Sequence, residues 1–247
     1  MPNDAEIAQT NPAQELLVLL QDMLARQRGI STRQAMAECI GVDPNDNVQF
    51  AVALGEFYAL IGRAKASVRN AGLKESIHLR SFPGIEQAFA LDSVRNSWDQ
   101  QARFLTEAVM GILEATADAL LEKAPERSIP KAALDDVLRE TRELIELVGA
   151  ADVPMVIRQL YTDFLLELER AVSQYRVRGG PGLRKAVEQG LGTIVLAWTR
   201  RPEDRKSVLS QKLLALWQGV TVLVSFANEA IQLTDGVRQL LDIDKTQ

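Results

Sequence analysis

Apolar residues recur at alternating steps of three and four along most of the chain, and this spacing constrains the fold more than any other feature of the sequence. Two stripes show it best. One consists of Phe50, Leu54, Phe57, Ile61, Ala64, Val68 and Ala71, and the other of Trp98, Ala102, Leu105, Val109, Ile112, Thr116 and Ala119. Such stripes occupy one face of a helix and have to be covered by a neighbouring helix. The sequence therefore predicts an all-α multi-helix bundle, with about eight or nine helices and short connections.

Prolines preceded by Asn, Asp, Ser or Gly predict where the helices start, because proline is tolerated in a first helical turn and these residues cap it. The predicted helices are 12–28, 31–40, 46–71, 85–123, 130–148, 153–177, 182–200 and 204–233, with a closing turn near 235–242. The glycine-bounded stretch from Gly72 to Gly84 predicts a boundary between an amino-terminal helical subdomain, 1–80, and a main bundle, 81–247.

The composition is that of an ordinary globular protein, with 47% hydrophobic and 25% charged residues. The single cysteine cannot form an internal disulfide, and the start of the chain lacks the pattern of a signal peptide. The apolar run Leu213 to Ala227 has only 15 residues, whereas a membrane span needs about 20. A cytoplasmic protein with no membrane span is therefore expected.

One histidine and one cysteine leave little room for metal, triad or redox chemistry. Glu75 and His78 have the Glu-x-x-His spacing of di-iron bundles, but those bundles use two copies, so His78 is interpreted as a residue of a connector. Cys39 is predicted to be a small buried apolar side chain. We expect no catalytic residue, no metal and no cofactor, and a non-enzymatic role is favoured.

The segment from Ser31 to Val48 has a glycine where helix-turn-helix modules make their tight turn, at Gly41. The acidic Asp43 and Asp46 stand where basic residues would contact phosphate. The pattern favours a plain turn between two core helices, with DNA binding as the alternative.

The strongest site-like feature is a basic, glycine-rich stretch that opens a helix. Between Ala171 and Lys212 there are nine Lys or Arg residues against three Asp or Glu residues. The candidate anion-binding or partner-binding residues are Arg176, Arg178, Gly179, Gly180, Arg184, Lys185, Arg200 and Arg201. A smaller basic stretch spans 63–80, and whether the two form one face is left open by the sequence.

These patterns predict a non-enzymatic helical interaction or adaptor subunit that assembles with itself or with a protein partner, for instance through the stripe in 50–71. Two alternatives stay open. The first is binding of nucleic acid or another polyanion through the basic segment 176–206. The second is a carrier of a small apolar ligand, in a cavity lined from Trp98, Trp198, Trp217 and Phe226.

Overall fold

The fold is all-α, as the periodicity predicts. The computed structural model describes residues 9–26, 29–201 and 207–227. The helices are α1 (Pro12–Leu24), α2 (Thr32–Ile40), α3 (Asn47–Asn70), α4 (Glu75–His78), α5 (Phe82–Ala88), α6 (Trp98–Gln101), α7 (Glu107–Lys123), α8 (Lys131–Ala150), α9 (Met155–Ser173), α10 (Tyr175–Arg200) and α11 (Val208–Ala227). Eight helices in the described part have nine residues or more, which is close to the predicted number. The predicted closing turn near 235–242 lies outside the described residues.

Side-chain caps start several helices close to the predicted positions. The Asn11 carboxamide oxygen accepts the backbone N–H groups of Ala13 and Gln14 and so starts α1. The same side chain donates to the carbonyl of Ala117 at 2.9 Å, which fixes α1 against α7. Asp46 caps α3 through the N–H groups of Val48 and Gln49. The caps therefore set both where a helix begins and where it packs.

The predicted helix over 85–123 is wrong. The chain instead forms α5, short 3₁₀ turns at Leu91–Ser93 and Ala102–Phe104, α6 between them, and then α7. Hydrogen bonds from other parts of the chain replace the helical ones: the N–H of Trp98 donates to Ile30, and the carbonyl of Asn96 accepts from Thr32. Thr106 then caps a new helix start at α7. The stripe from Trp98 to Ala119 is thereby split between separate elements.

The first hydrophobic core consists of residues from Ala13 to Leu120 together with Val177, and it surrounds α1, which packs on α2, α3, α7 and α10. Within it, the ring of Phe57 packs against Phe89 with centroids 4.6 Å apart, and Phe89 packs against Trp98 at 5.7 Å. The predicted stripe of α3 is buried here from Phe50 to Val68. It is covered by helices of the same chain, so it is not a free seam for another subunit.

The second hydrophobic core runs from Ile129 to Val224 and is a four-helix arrangement in which α8 packs on α9, α9 on α10, α10 on α11, and α11 on α8. The helices α9 and α10 are in close contact at Gly190, where a Cβ atom would lie 2.2 Å from Cε2 of Phe164. Tyr161 is fully buried and its hydroxyl lies 3.2 Å from that of Ser210, which joins α9 to α11.

Within the described ranges, α11 is long and apolar enough to cross a membrane by length and composition, with a mean hydropathy of 1.3 over Val208–Ser225. One face of the helix is built into the second core: Leu213, Trp217 and Val220 are buried, and the indole N–H of Trp217 donates to the carbonyl of Val187 at 2.9 Å. These contacts join one face of α11 to the second core, and 39% of Val208–Ser225 is buried.

The two cores meet along α10, which packs on α3 and α1 of the first core. Residues on both sides of the predicted boundary between 80 and 81 pack into the first core, as Val68 and Phe82 show, and the change of core falls between Leu120 and Ile129. A short antiparallel pair of Gln9–Thr10 with Glu126–Arg127 ties the start of the described chain to this connection.

Candidate functional site

The glycine-rich basic stretch predicted as a binding loop lies between the two cores. We call residues 174–179, at the start of α10, the junction. Its Val177 belongs to the first core and is fully buried, whereas Leu183, one and a half turns later, belongs to the second. Between them the helix is interrupted at Gly179. Its φ of 58° and ψ of −165° define a backbone conformation that glycine adopts far more readily than other residues. A kink at this residue lets a single helix enter both cores.

Arg178 is the central polar group of the junction. Its side chain is only 5% exposed, yet it faces carboxylates from both cores. Its Nε lies 3.3 Å from Oε1 of Glu56 on α3, and its Nη2 lies 2.7 Å from Oε1 of Glu167 on α9. A buried cation needs such partners, because removing a charge from water costs several kcal/mol. Arg178 is therefore bound within the chain and does not face an external anion.

Two further cations join α10 to the first core. Arg176 donates to the carbonyl of Cys39 at 3.2 Å and forms an ion pair with Asp22. Arg63, from the second basic stretch, donates to the carbonyl of Val177 at 2.8 Å. The two basic stretches thus meet where Arg63 contacts Val177, and their contacts there are internal to the chain.

Three half-buried titratable groups lie in this region, and one of them, Glu15, stands beside Gly179. The carboxyl group of Glu15 lies 3.9 Å from Arg63, and a Cβ on Gly179 would stand 3.1 Å from one of its oxygens. Burial raises the pKa of Glu15 from 4.5 to about 7, opposed by Arg63 and assisted by Glu126. The pKa of Glu126 is also raised by burial, with Arg63 and Arg184 opposing. Burial raises the pKa of Tyr175 to about 12, while a hydrogen bond from the N–H of Ile129 opposes it.

Stability should fall as the pH rises through the range in which Glu15 loses its proton. Its pKa is higher in the folded chain than the value of 4.5 expected after unfolding, so the folded state binds more protons between pH 4.5 and about 7. The shift corresponds to about 3 kcal/mol of stability that is present below this window and lost above it. We expect the free energy of unfolding of Glu15→Gln to match that of the parent near pH 4.5 and to exceed it above about pH 7.

Urea denaturation at a series of pH values measures this difference. Glu107→Gln, which removes an exposed carboxylate from the first turn of α7, corrects for the loss of a charge at a helix start. A Glu15→Gln variant that is less stable than the parent above the window would contradict the assignment.

The remaining residues of the predicted anion site are spread along α10. Gly180, Arg184 and Arg201 are half-buried, whereas Lys185 and Arg200 are exposed. Residues 202–206 of the predicted basic segment lie outside the described residues. Of the cations in the stretch 63–80, Lys65 pairs with Glu86 and Arg69 with Glu75. Several cations of the two basic stretches are thus used in ion pairs within the chain.

The single cysteine lies in the first core, whereas the single histidine is half-buried on α4. The Nδ1 of His78 is 3.1 Å from the hydroxyl of Thr116 on α7, and Cys39 is 3% exposed with the Nε of Arg26 3.3 Å from its sulfur. Cys39 is a buried side chain, as predicted. The turn after it is a plain helix end at Gly41, with φ of 83°, and Asp46 caps the helix that follows.

The tryptophans are divided between the cores. Trp98 belongs to the first core and donates its indole N–H to the carbonyl of Met23 at 2.9 Å. Trp217 belongs to the second core, and Trp198 packs against it. The side chain of Phe226 lies outside the described part. The structure therefore does not bring Trp98 together with Trp198 and Trp217 around one cavity.

A groove of about 310 Å³ opens where the two cores meet, and we call it the inter-core groove. Val42 and Gln49 line it from the side of the first core, and Arg142, Leu166, Arg170 and Gln174 line it from the second. Gln174 is 5% exposed, and its Oε1 has no hydrogen-bond donor in the described structure. Buried polar atoms are paired in most proteins, so an unpaired one at a groove marks a place where a ligand can bind.

The sequence did not predict the glutamates that face the junction from other helices, and it did not predict the inter-core groove. Glu15, Glu56 and Glu167 are ordinary glutamates within helical segments, and only the fold places them around α10. The one available signal is that Glu15 and Glu167 each stand next to leucines of an apolar stripe. Comparisons of the chain with protein-family models, with curated proteins and with solved structures give no significant match.

Proposed function

We propose that this protein is a non-enzymatic helical interaction subunit that binds a protein partner or a second copy of itself, and that it acts in the cytoplasm. The observation that carries the proposal is the inter-core groove, which is open, lies across two packed cores and contains an unpaired buried amide. Ligand and partner sites are frequent where two packed units meet.

Two arginines of the predicted anion site form ion pairs within the chain, and this supports binding of a protein over binding of a polyanion. Arg176 and Arg178, the two arginines before the predicted glycine turn, pair with Asp22, Glu56 and Glu167. Their charge holds the two cores together, so the chain presents a groove of fixed shape. A fixed shape lowers the entropy that a binding surface loses on association.

The test is size-exclusion chromatography with light scattering on the protein purified from the lysate of its own cells, with every co-purifying species identified by mass. The proposal expects a stoichiometric complex with one protein, or a discrete homo-oligomer. A monomer that carries no protein would contradict it, and co-purifying nucleic acid that high salt removes would favour the polyanion alternative.

A further inference from the structure

We propose that the inter-core groove binds an acidic, extended peptide segment of the partner, with a carboxylate on Arg142 and Arg170 and a backbone N–H on Gln174. This inference rests on the proposed function and names the chemistry of the partner.

We infer a carboxylate on the ligand because two arginines at the groove have N–H donors that their present ion pairs do not use. Arg142 on α8 contacts Glu169 through its Nε at 2.7 Å, and Arg170 on α9 contacts Glu167 through one Nη at 3.1 Å. A guanidinium has five N–H donors, so each arginine keeps several for a ligand. Both arginine side chains line the groove, whereas only one carboxylate, that of Glu169, is among its described lining residues. The groove therefore offers donors in excess of acceptors to a carboxylate, which arginine binds in a bidentate manner.

Gln174 is the reason why the ligand should carry an N–H donor. Its Oε1 is an acceptor without a partner, on a side chain that is almost fully buried. The terminal torsion of glutamine has a broad energy minimum, so a small rotation turns this oxygen towards a ligand in the groove. A backbone amide satisfies it, whereas a fully ionised dicarboxylate brings no such donor.

Apolar side chains beside the groove distinguish a peptide from a small carboxylate. Leu166, 44% exposed, lines the groove from α9, and Val42 lines it from the side of the first core. Alternate side chains of an extended peptide point to opposite sides, so one set can contact the apolar wall while the other meets the arginines. A peptide that alternates leucine with glutamate fits this arrangement.

The experiment is a titration of isotopically labelled, full-length protein followed by NMR of the side-chain signals of Gln174, Arg142 and Arg170. The probe is N-acetyl-Leu-Glu-Leu-Glu-amide. We expect saturable shifts of these signals, and about a tenfold weaker affinity for the neutral twin in which both glutamates are glutamines. Disodium glutarate, a carboxylate without an N–H donor, should bind more weakly than the acidic peptide.

Three variants locate the site. Arg142→Gln and Gln174→Leu should each weaken the peptide by about fivefold to tenfold. The matched control is Arg139→Gln, also on α8, because Arg139 pairs with Asp136 at 2.8 Å, is 62% exposed and does not line the groove. Its affinity should stay that of the parent, and circular dichroism shows that each variant is folded.

The inference is overturned if millimolar peptide leaves Gln174 and both arginines unshifted, or if the neutral twin or glutarate binds as well as the acidic peptide. It is also overturned if dilution of the free protein shifts the same signals, since a second copy would then occupy the groove. A partner complex that survives unchanged in Arg142→Gln and Gln174→Leu would overturn this inference and leave the proposed function standing.

Discussion

Arg178→Met should destabilise the protein by about 3 kcal/mol, the lower end of the cost of removing one partner from a buried ion pair. The substitution leaves Glu56 and Glu167 without the cation between them, at side-chain exposures of only 28% and 23%. The lower end applies because Glu167 keeps Arg170 as a second partner. Chemical denaturation followed by tryptophan fluorescence measures the change.

The matched control is Arg69→Met. Arg69 pairs with Glu75 at 3.1 Å, and both side chains are more than half exposed, at 54% and 56%. Exposed pairs contribute between about 0 and 1 kcal/mol. If Arg178→Met costs no more than this control, Arg178 does not hold a buried position between the cores.

Gly190→Ala should destabilise the second core by about 1 to 3 kcal/mol, although alanine normally stabilises a helix by about 1 kcal/mol relative to glycine. The added Cβ would stand 2.2 Å from the ring of Phe164, so α9 and α10 would have to move apart. Thermal unfolding measured by circular dichroism reports the effect.

Gly192→Ala is the matched control, because Gly192 lies on the same helix with nothing within 4 Å of its Cβ position. It should be neutral or slightly stabilising. The double variant Gly190→Ala with Phe164→Leu should be more stable than the sum of the two single changes predicts, since the smaller side chain makes room. Stabilisation by Gly190→Ala alone would mean that the helices are not in close contact there.

Local physics let the sequence predict much of the fold. The stripe of α3 and the cap at Asn11 depend on residues that are close together in the chain, and both appear where the pattern places them. The apolar spacing predicts one helix over 85–123, but the part before α7 is divided into shorter elements. Backbone hydrogen bonds with Ile30 and Thr32, far away in sequence, decide the structure there instead.

The junction shows the same limit for the candidate site. The sequence shows that the segment from Arg176 to Lys185 is basic and rich in glycine, and a break at Gly179 is found there. Whether a cation faces water or a buried carboxylate depends on what the fold places beside it. Arg178 and Glu56 are more than 100 positions apart in the sequence, and no local pattern connects them.

The central claim is that Arg178 joins the two cores from inside, and a double-mutant cycle between Glu56→Gln and Arg178→Met tests it most directly. Glu56 belongs to the first core and Arg178 reaches it at 3.3 Å from α10. Buried charges in contact are coupled, so the cycle should give an interaction energy of about 1 to 3 kcal/mol. Destabilisations that add to within about 0.5 kcal/mol would show that the two side chains do not interact, and the internal junction would be contradicted.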